Sequence, residues 1–335
     1  MPRFLRYLRR TGVAVLIAVA AIFALNTDLL APARGGRPML IAHRGMGQTF
    51  HREGLTGETC TAARIFPPEH NYLEDTIPAL RAAFDAGADM VEFDVQPTTD
   101  GDFVVFHDWA LDCRTDGSGV TRQHSLPELR RLDLGYGYTA DGGKTFPFRS
   151  KGVGMMATLD ETLDALPNRH VMINIKSADP NEGTALAALL ARRPEVQRTN
   201  WIVYGDSAPV SAFHDALPDV RVLASDLLKQ CLLRYFAIGW TGYVPSSCRN
   251  TLILIPADYA RWLWGWPRRF LARMDAADTL VVLLGPYDGS GFSSGVDSAE
   301  ELSWVPADYD GAIWTNRIDR VGPAMKMRAT GGPPN

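Results

Sequence analysis

The sequence predicts an α/β protein built on a mostly parallel sheet, either doubly wound or closed into a (β/α)8 barrel. Three observations lead there. Apolar runs of strand length recur along the chain, most are bare rather than alternating, and helical patterns separate many of them. The 335 residues suffice for two domains or one large barrel at roughly 100–200 residues per domain. Hydrophobic residues make up 46% and charged residues 21%, with a formal net charge of −4. The first two values exclude a disordered chain. The mild acidity argues against a nucleic-acid partner, whose binders carry a basic field.

The first residues stand apart from that pattern. Arg3, Arg6, Arg9 and Arg10 precede an uncharged apolar run over 12–25, the basic and hydrophobic regions of an export signal. Residues 1–35 are expected to be a signal peptide cleaved near Ala31-Pro32-Ala33, or a retained anchor extended to Leu30 across Asn26, Thr27 and Asp28. About 20 apolar residues span a bilayer, so the anchor needs that extension. Either way the arginines stay inside and the body lies outside the cytoplasm. It would sit at the periplasmic face of the inner membrane if anchored, and be periplasmic or secreted if cleaved. Export permits disulfides. Cys231 and Cys248 lie close, with Gly239, Gly242 and Pro245 to bend the chain between them, which leaves Cys60 and Cys113 to meet across the fold. Four cysteines allow three connectivities, and buried free thiols are the competing reading. With no Cys-x-x-Cys pair, a zinc module is not suggested.

Beyond the leader, strands are expected at 39–43, 90–95, 103–107, 171–176, 201–204, 220–224, 252–255, 280–284 and 312–315. Helical patterns fall at 77–86, 159–166, 182–192 and 259–274. Nine strands are one more than a barrel holds. Only 96–102 separates the second and third, too short for a parallel crossover, which needs a dozen residues or more. A polar, Gly-rich stretch over 108–156, with a short helical signal at 126–132, reads as an insertion after the third strand, and 331–335 as a frayed tail.

Polar residues gather at strand ends. His43-Arg44-Gly45 ends the first strand, Glu92 and Asp94 lie in the second, His107-Asp108 ends the third, and Lys176 ends the fourth. The C-terminal strand ends of a β/α barrel build its active site, so these groups would converge. Glu92 and Asp94, two apart on a strand, point to one face. Two carboxylates there need a shared cation or proton, and oxygen ligands suit Mg²⁺ or Ca²⁺. Two histidines can supply a general base and a general acid, while Arg44 and Lys176 can hold a phosphate. Together these spell phosphodiester hydrolysis. Singly each element is ordinary: a turn, an edge ion pair, a surface dipeptide, a lysine reaching solvent. Their succession at consecutive strand ends carries the argument.

The sequence here resembles the glycerophosphodiester phosphodiesterases. The resemblance runs from Leu40 to about Asp319, through Ile41-Ala42-His43-Arg44-Gly45, Leu73-Glu74-Asp75-Thr76, Val91-Glu92-Phe93-Asp94-Val95, Thr99-Asp100-Gly101-Asp102 and Val104-Val105-Phe106-His107-Asp108, closing on Gly311-Ala312-Ile313-Trp314-Thr315-Asn316-Arg317. It implies a (β/α)8 TIM-type barrel over 38–325 with a small insertion, and one divalent cation, Mg²⁺, Ca²⁺ or Mn²⁺. It implies His43 and His107 as the acid–base pair, Glu92 and Asp94 as metal ligands, Glu74 as an acidic residue supporting metal and substrate, and Arg44 and Lys176 as phosphate contacts. Two departures matter. Asp75 stands where the family usually has Asn, and Asn174 stands where a third metal carboxylate is common, so an amide oxygen would have to ligate. Extra residues over 47–72 carry Cys60 and read as a lid over the pocket or as a tolerated surface loop.

Trp262, Trp264 and Trp266, beside Arg268 and Arg269, suit a membrane interface or, alternatively, core packing of a barrel helix; Trp240 and Tyr243 could extend such a patch. The expected activity is metal-dependent hydrolysis of glycerophosphodiesters or related lipid-derived phosphodiesters. The alternatives are a phospholipase D-like lipid phosphodiesterase and a catalytically impaired binding protein of the same fold.

Overall fold

Eight parallel strands close almost completely into a barrel in the computed structural model, which describes residues 2–56, 59–289 and 293–329. The strands are β1 Met39–His43, β2 Met90–Pro97, β3 Phe103–Val105, β4 His170–Ile175, β5 Trp201–Gly205, β6 Arg221–Ala224, β7 Leu252–Pro256, β8 Leu280–Leu284 and β9 Ala312–Thr315. They run in the order β6-β5-β4-β2-β1-β9-β8-β7. At the seam between β6 and β7 no ladder forms, but the Thr251 hydroxyl donates to the Val222 carbonyl at 2.8 Å. All nine expected strands form. The surplus one is β3, which pairs antiparallel with the far end of β2 and stays outside the barrel.

Local chemistry explains the connections. Helix Ile77–Ala86 starts at Thr76, whose side chain accepts from Ala79 N–H, carries Pro78 in its first turn, and stops at Gly87 with φ 113°. Gly45 lets this helix approach the end of β1: at φ +72° an added Cβ would sit 2.9 Å from Ala79 C and Leu80 N. The helix expected over 259–274 is instead two, Ala257–Ala260 and Arg268–Asp275. Gly265 and Pro267 interrupt it, since proline cannot donate to a continuing helix. Helices Ser207–Ala216, Ser225–Ile238 and Ile318–Ala329 had no counterpart in the sequence reading.

Three apolar groups result. One lies between strands and outer helices, one inside the barrel, and a third joins 47–72 to 108–156 through Ile65, Leu111, Leu129, Tyr138 and Phe148. Disulfide Cys60–Cys113 staples that third group, and Cys231–Cys248 ties helix Ser225–Ile238 to the turn before β7. The tail at 331–335 lies outside the described residues.

Candidate active site

The barrel interior is sorted by height. Side chains alternate along a strand, and the inward Ile41, Met90, Met172, Ile202 and Leu223 fill a lower apolar layer. The next inward positions toward the C-terminal ends are polar: His43, Glu92, Asp94, Asn174 and Tyr204. Register sets them side by side, with His43 opposite Glu92, Asp94 opposite Asn174 and Asn174 opposite Tyr204.

Asp94 is the hub. Asn174 Nδ2 donates to its Oδ1 at 2.7 Å, Lys176 Nζ lies 3.6 Å from Oδ1, and Arg44 Nε lies 3.1 Å from Oδ2 without aligning for a hydrogen bond. Glu92 is fully buried; its Oε1 accepts from Tyr204 Oη at 2.5 Å and its Oε2 from Arg44 N–H at 3.2 Å. Burial, reinforced by the Asp94 charge, pushes Glu92 above the carboxylate range. Burial would raise Asp94 too, but Lys176, His107 and Arg44 pull it below that range. The pair is thus split, one carboxylate ready to hold a proton and the other ionised.

Arg44, at φ +55°, bridges to Glu74 Oε1 at 2.9 Å, and Arg114 reaches Glu74 Oε2 at 3.1 Å. Asp75, at φ +58°, is buried, and its Oδ1 lies 3.5 Å from Asp94 N. Burial, then the Asp94 charge, holds Asp75 well above the usual carboxylate range.

The two histidines have different partners. His43 Nδ1 lies 2.7 Å from Asn316 Oδ1, and Asn316 in turn donates from Nδ2 and N to Asp297 at 2.9 and 2.6 Å. An amide oxygen only accepts, so Nδ1 carries the hydrogen and Nε2, 3.8 Å from Glu92 Oε2, is the open nitrogen. His107 Nδ1 lies 2.6 Å from Asp108 Oδ1, while Arg114 Nε donates to Asp108 Oδ2 at 2.9 Å. Arg114 is itself held by Tyr138 Oη at 2.6 Å and Thr61 Oγ1 at 2.8 Å. Burial and then the Arg44 charge lower His43 to about 3, and the same two causes hold His107 well below its ordinary value.

A cavity of about 640 Å³ opens beside His43, Arg44 and Glu74, walled by Phe50, Phe66 and His70 of the 47–72 segment and by Arg317. His107 and Lys176 are not in its wall; they meet the same carboxylate hub. Hard oxygen donors suited to a small divalent cation are present, since Asp94 Oδ2 is buried without a donor and Glu92 lies beside it. Among the described residues, no three His, Cys, Asp or Glu side chains stand in metal-ligand array, and Asn174 turns its nitrogen, not its oxygen, to Asp94. Sequence reasoning gave no role to Tyr204, Asn316, Asp297 and Arg114. The strand-end rule applied to β5 and β9 finds the first two; Asp297 and Arg114 lie in irregular segments that carry no such signal.

Paired histidines, paired carboxylates and cations at the C-terminal mouth of a β/α barrel define a barrel equipped for acid–base chemistry on an anion. The chain belongs to the Glycerophosphoryl diester phosphodiesterase family, whose model matches residues 43–219, just over half of the chain. A glycerophosphodiester phosphodiesterase of Caldanaerobacter subterraneus is 35% identical over 107 residues, covering 32% of this chain and 40% of that protein. One from Bacillus subtilis is 29% identical over 179 residues, covering 49% and 52%. The chain thus spans about half or less of the length of these two curated relatives. Solved structures share the fold. The glycerophosphoryl diester phosphodiesterase domain of an uncharacterized Mycobacterium tuberculosis protein superposes with TM-score 0.60 at 18% identity, covering 87% of this chain and 99% of the other. An Oleispira antarctica phosphodiesterase, solved with the product sn-glycerol-3-phosphate, gives TM-score 0.54 at 16% identity, covering 86% and 97%.

Proposed function

We propose that this chain hydrolyses glycerophosphodiesters to an alcohol and glycerol phosphate, a metal-dependent step in lipid and phosphodiester catabolism. The observation that carries the reading is the pair of histidines with unlike partners around one split carboxylate pair. His43 Nε2 takes a proton from the attacking water or from a neighbouring substrate hydroxyl. A new P–O bond forms as the P–O bond to the leaving alkoxide breaks; where the substrate hydroxyl attacks, the product is a cyclic phosphate, and water must open it in a second step to give glycerol phosphate. His107 is kept neutral in the free site by burial and Arg44. It takes up a proton as the anionic substrate offsets Arg44 and Lys176, with Asp108 on Nδ1 to stabilise the imidazolium, and gives it to the departing oxygen. Asn316 holds His43 in the tautomer that leaves Nε2 open. Arg44 and Lys176, both beside Asp94, hold phosphoryl oxygens. Glu92 and Asp94, with Glu74 and Asn174 nearby, would hold a divalent cation, Mg²⁺, Ca²⁺ or Mn²⁺, that neutralises charge developing on the phosphoryl group.

The two disulfides and the N-terminal apolar helix support an extracytoplasmic body in contact with the membrane. A second reading, a phospholipase D-like enzyme acting on lipid, draws on the exposed Trp262 and Trp264; Trp266 packs on the core with Phe270 and Tyr309. Turnover of glycerophosphocholine and of a lysophospholipid, each with and without chelator, tests both. The expected result is chelator-sensitive hydrolysis of glycerophosphocholine. Preference for the lysophospholipid moves the assignment to the second reading, and no turnover of either leaves a binding protein.

A further inference from the structure

The N-terminal helix Pro2–Asn26 contains an apolar span, Arg6–Asn26, of 21 residues with none of it buried. At 1.5 Å per residue it is about 31 Å long, against about 30 Å of bilayer hydrocarbon. A signal peptide and an anchor both meet that test; the end of the helix separates them. Arg273 Nη2 donates to Leu25 O at 2.8 Å, and Arg273 Nη1 to Asn26 Oδ1 at 3.1 Å. Asn26 Nδ2 donates to Trp240 O at 2.8 Å, and Arg269 Nη2 to Leu30 O at 2.8 Å. A cut near Ala33 would strip every one of these bonds from the mature fold, which a segment destined for removal has no reason to make.

The surface around this exit is apolar and exposed. Leu233 is 73% and Phe236 60% exposed, with Trp240, Tyr243 and Trp264 also exposed. Trp264 Nε1 donates to Phe236 O at 2.8 Å, which joins the two segments into one shelf. Its place in the barrel follows from topology. Helix Ser225–Ile238 leaves the C-terminal end of β6, so its own end, Trp240 and Tyr243 lie toward the N-terminal ends of the strands. The linker agrees: Arg34 pairs with Asp275 and Asp310, and Arg37 with Asp89, on segments that enter β8, β9 and β2. His43, Lys176 and Asn316 stand at the opposite ends, beyond strands of about five residues and so about 17 Å away.

We propose that the chain keeps its N-terminal helix as a membrane anchor and seats the N-terminal end of its barrel on a phospholipid bilayer. Phe236, Trp240, Tyr243 and Trp264 enter the interface. Amphipathic rings favour that depth, and Arg273 locks the helix to the shelf. The catalytic mouth then faces away from the lipid, so the substrate is a water-soluble, deacylated diester rather than a phospholipid of the same bilayer. This last step rests on the proposed hydrolase activity; the seating does not.

The full chain is reconstituted into vesicles of phosphatidylethanolamine and phosphatidylglycerol with brominated acyl chains, which quench tryptophan at the interface. The helix itself has no tryptophan, so quenching reports the body. Trp240→Ser with Trp264→Ser should remove at least half of the quenching and leave glycerophosphocholine turnover unchanged, the latter showing that the variant folds. The mass of the protein recovered from host membranes should include the helix. Undiminished quenching in the double variant, or a mature chain starting after Ala33, overturns the seating. Release of ethanolamine from the vesicle lipid itself overturns the outward-facing mouth. Absence of turnover on any diester, with the quenching pattern intact, sinks the hydrolase reading and leaves the anchor standing.

Discussion

His43 and His107 serve one carboxylate hub but are built by different parts of the molecule. His43 ends barrel strand β1, packs at a tilt against Trp314 of β9 with ring centroids 4.9 Å apart, and is fixed through Asn316 to Asp297. Its support is the barrel wall. His107 follows β3, the strand outside the barrel, and its partner Asp108 is gripped by Arg114, which Thr61 and Tyr138 hold. Its support is the pair of inserted segments stapled by Cys60–Cys113. On the proposed mechanism the barrel alone furnishes half of the acid–base machinery, and the 47–72 and 108–156 segments are needed for the other half. The partners also differ in charge: Asp108 offers His107 a carboxylate, whereas Asn316 offers His43 a neutral amide oxygen that sets the tautomer.

The largest expected effect removes either station. His43→Ala and His107→Ala should each lower turnover of an alkyl diester by about 10²–10⁴, the usual worth of a general acid or base. Their melting temperatures should stay near that of the parent. Near-parental turnover in either variant excludes that residue from the chemistry. A substrate change then separates the two. A nitrophenolate departs without a proton, so His107→Ala should lose far less on a nitrophenyl diester than on glycerophosphocholine, while His43→Ala should lose alike on both. Equal losses for both variants would dissolve the assignment of base and acid.

The disulfides extend the comparison to stability. Cys60–Cys113 closes 53 residues and Cys231–Cys248 closes 17, for which chain entropy gives about 4 and about 3 kcal/mol. Replacing the first pair by serine should cost the larger share in denaturant melts and also loosen Arg114 and hence His107. Replacing the second should cost stability alone. Equal effects on turnover from both would mean that the insertion does not position His107.

The strands were legible in the sequence because apolar runs of five or so residues announce buried parallel strands, and the short 96–102 link already set β3 apart. Residues at the ends of those runs were legible for the same reason. What the sequence hid is partnership across long separations. Asn316 meets His43 only because β9 closes onto β1, and Arg114 meets Glu74 only because two insertions fold together. The missed helix Ser207–Ala216 carries Pro, Ser and His among its apolar residues, which blunts the periodic signal. Within the tryptophan segment, Trp266 packs on the core while Trp262 and Trp264 are exposed.

The smallest expected effect within the hub, and its sharpest probe, comes from Asn174. Its amide donates to Asp94 Oδ1, so the side chain now stabilises an ionised carboxylate without adding charge. Asn174→Glu would set a third carboxylate beside a pair that is already split by repulsion. Without metal the variant should melt below the parent, because the new group lies near buried anions and loses the donated hydrogen bond. With Ca²⁺ or Mg²⁺ the same charge should tighten binding, and the cation should recover the lost stability by mass action. Turnover is the poorer readout, since a more fully neutralised cation is a weaker Lewis acid. Calorimetric metal titration of parent and variant, beside melts with and without metal, reads both terms. A lower melting temperature that metal does not restore, with affinity unchanged, would place Asn174 outside the coordination shell and leave Glu92 and Asp94 to hold the cation with fewer protein groups.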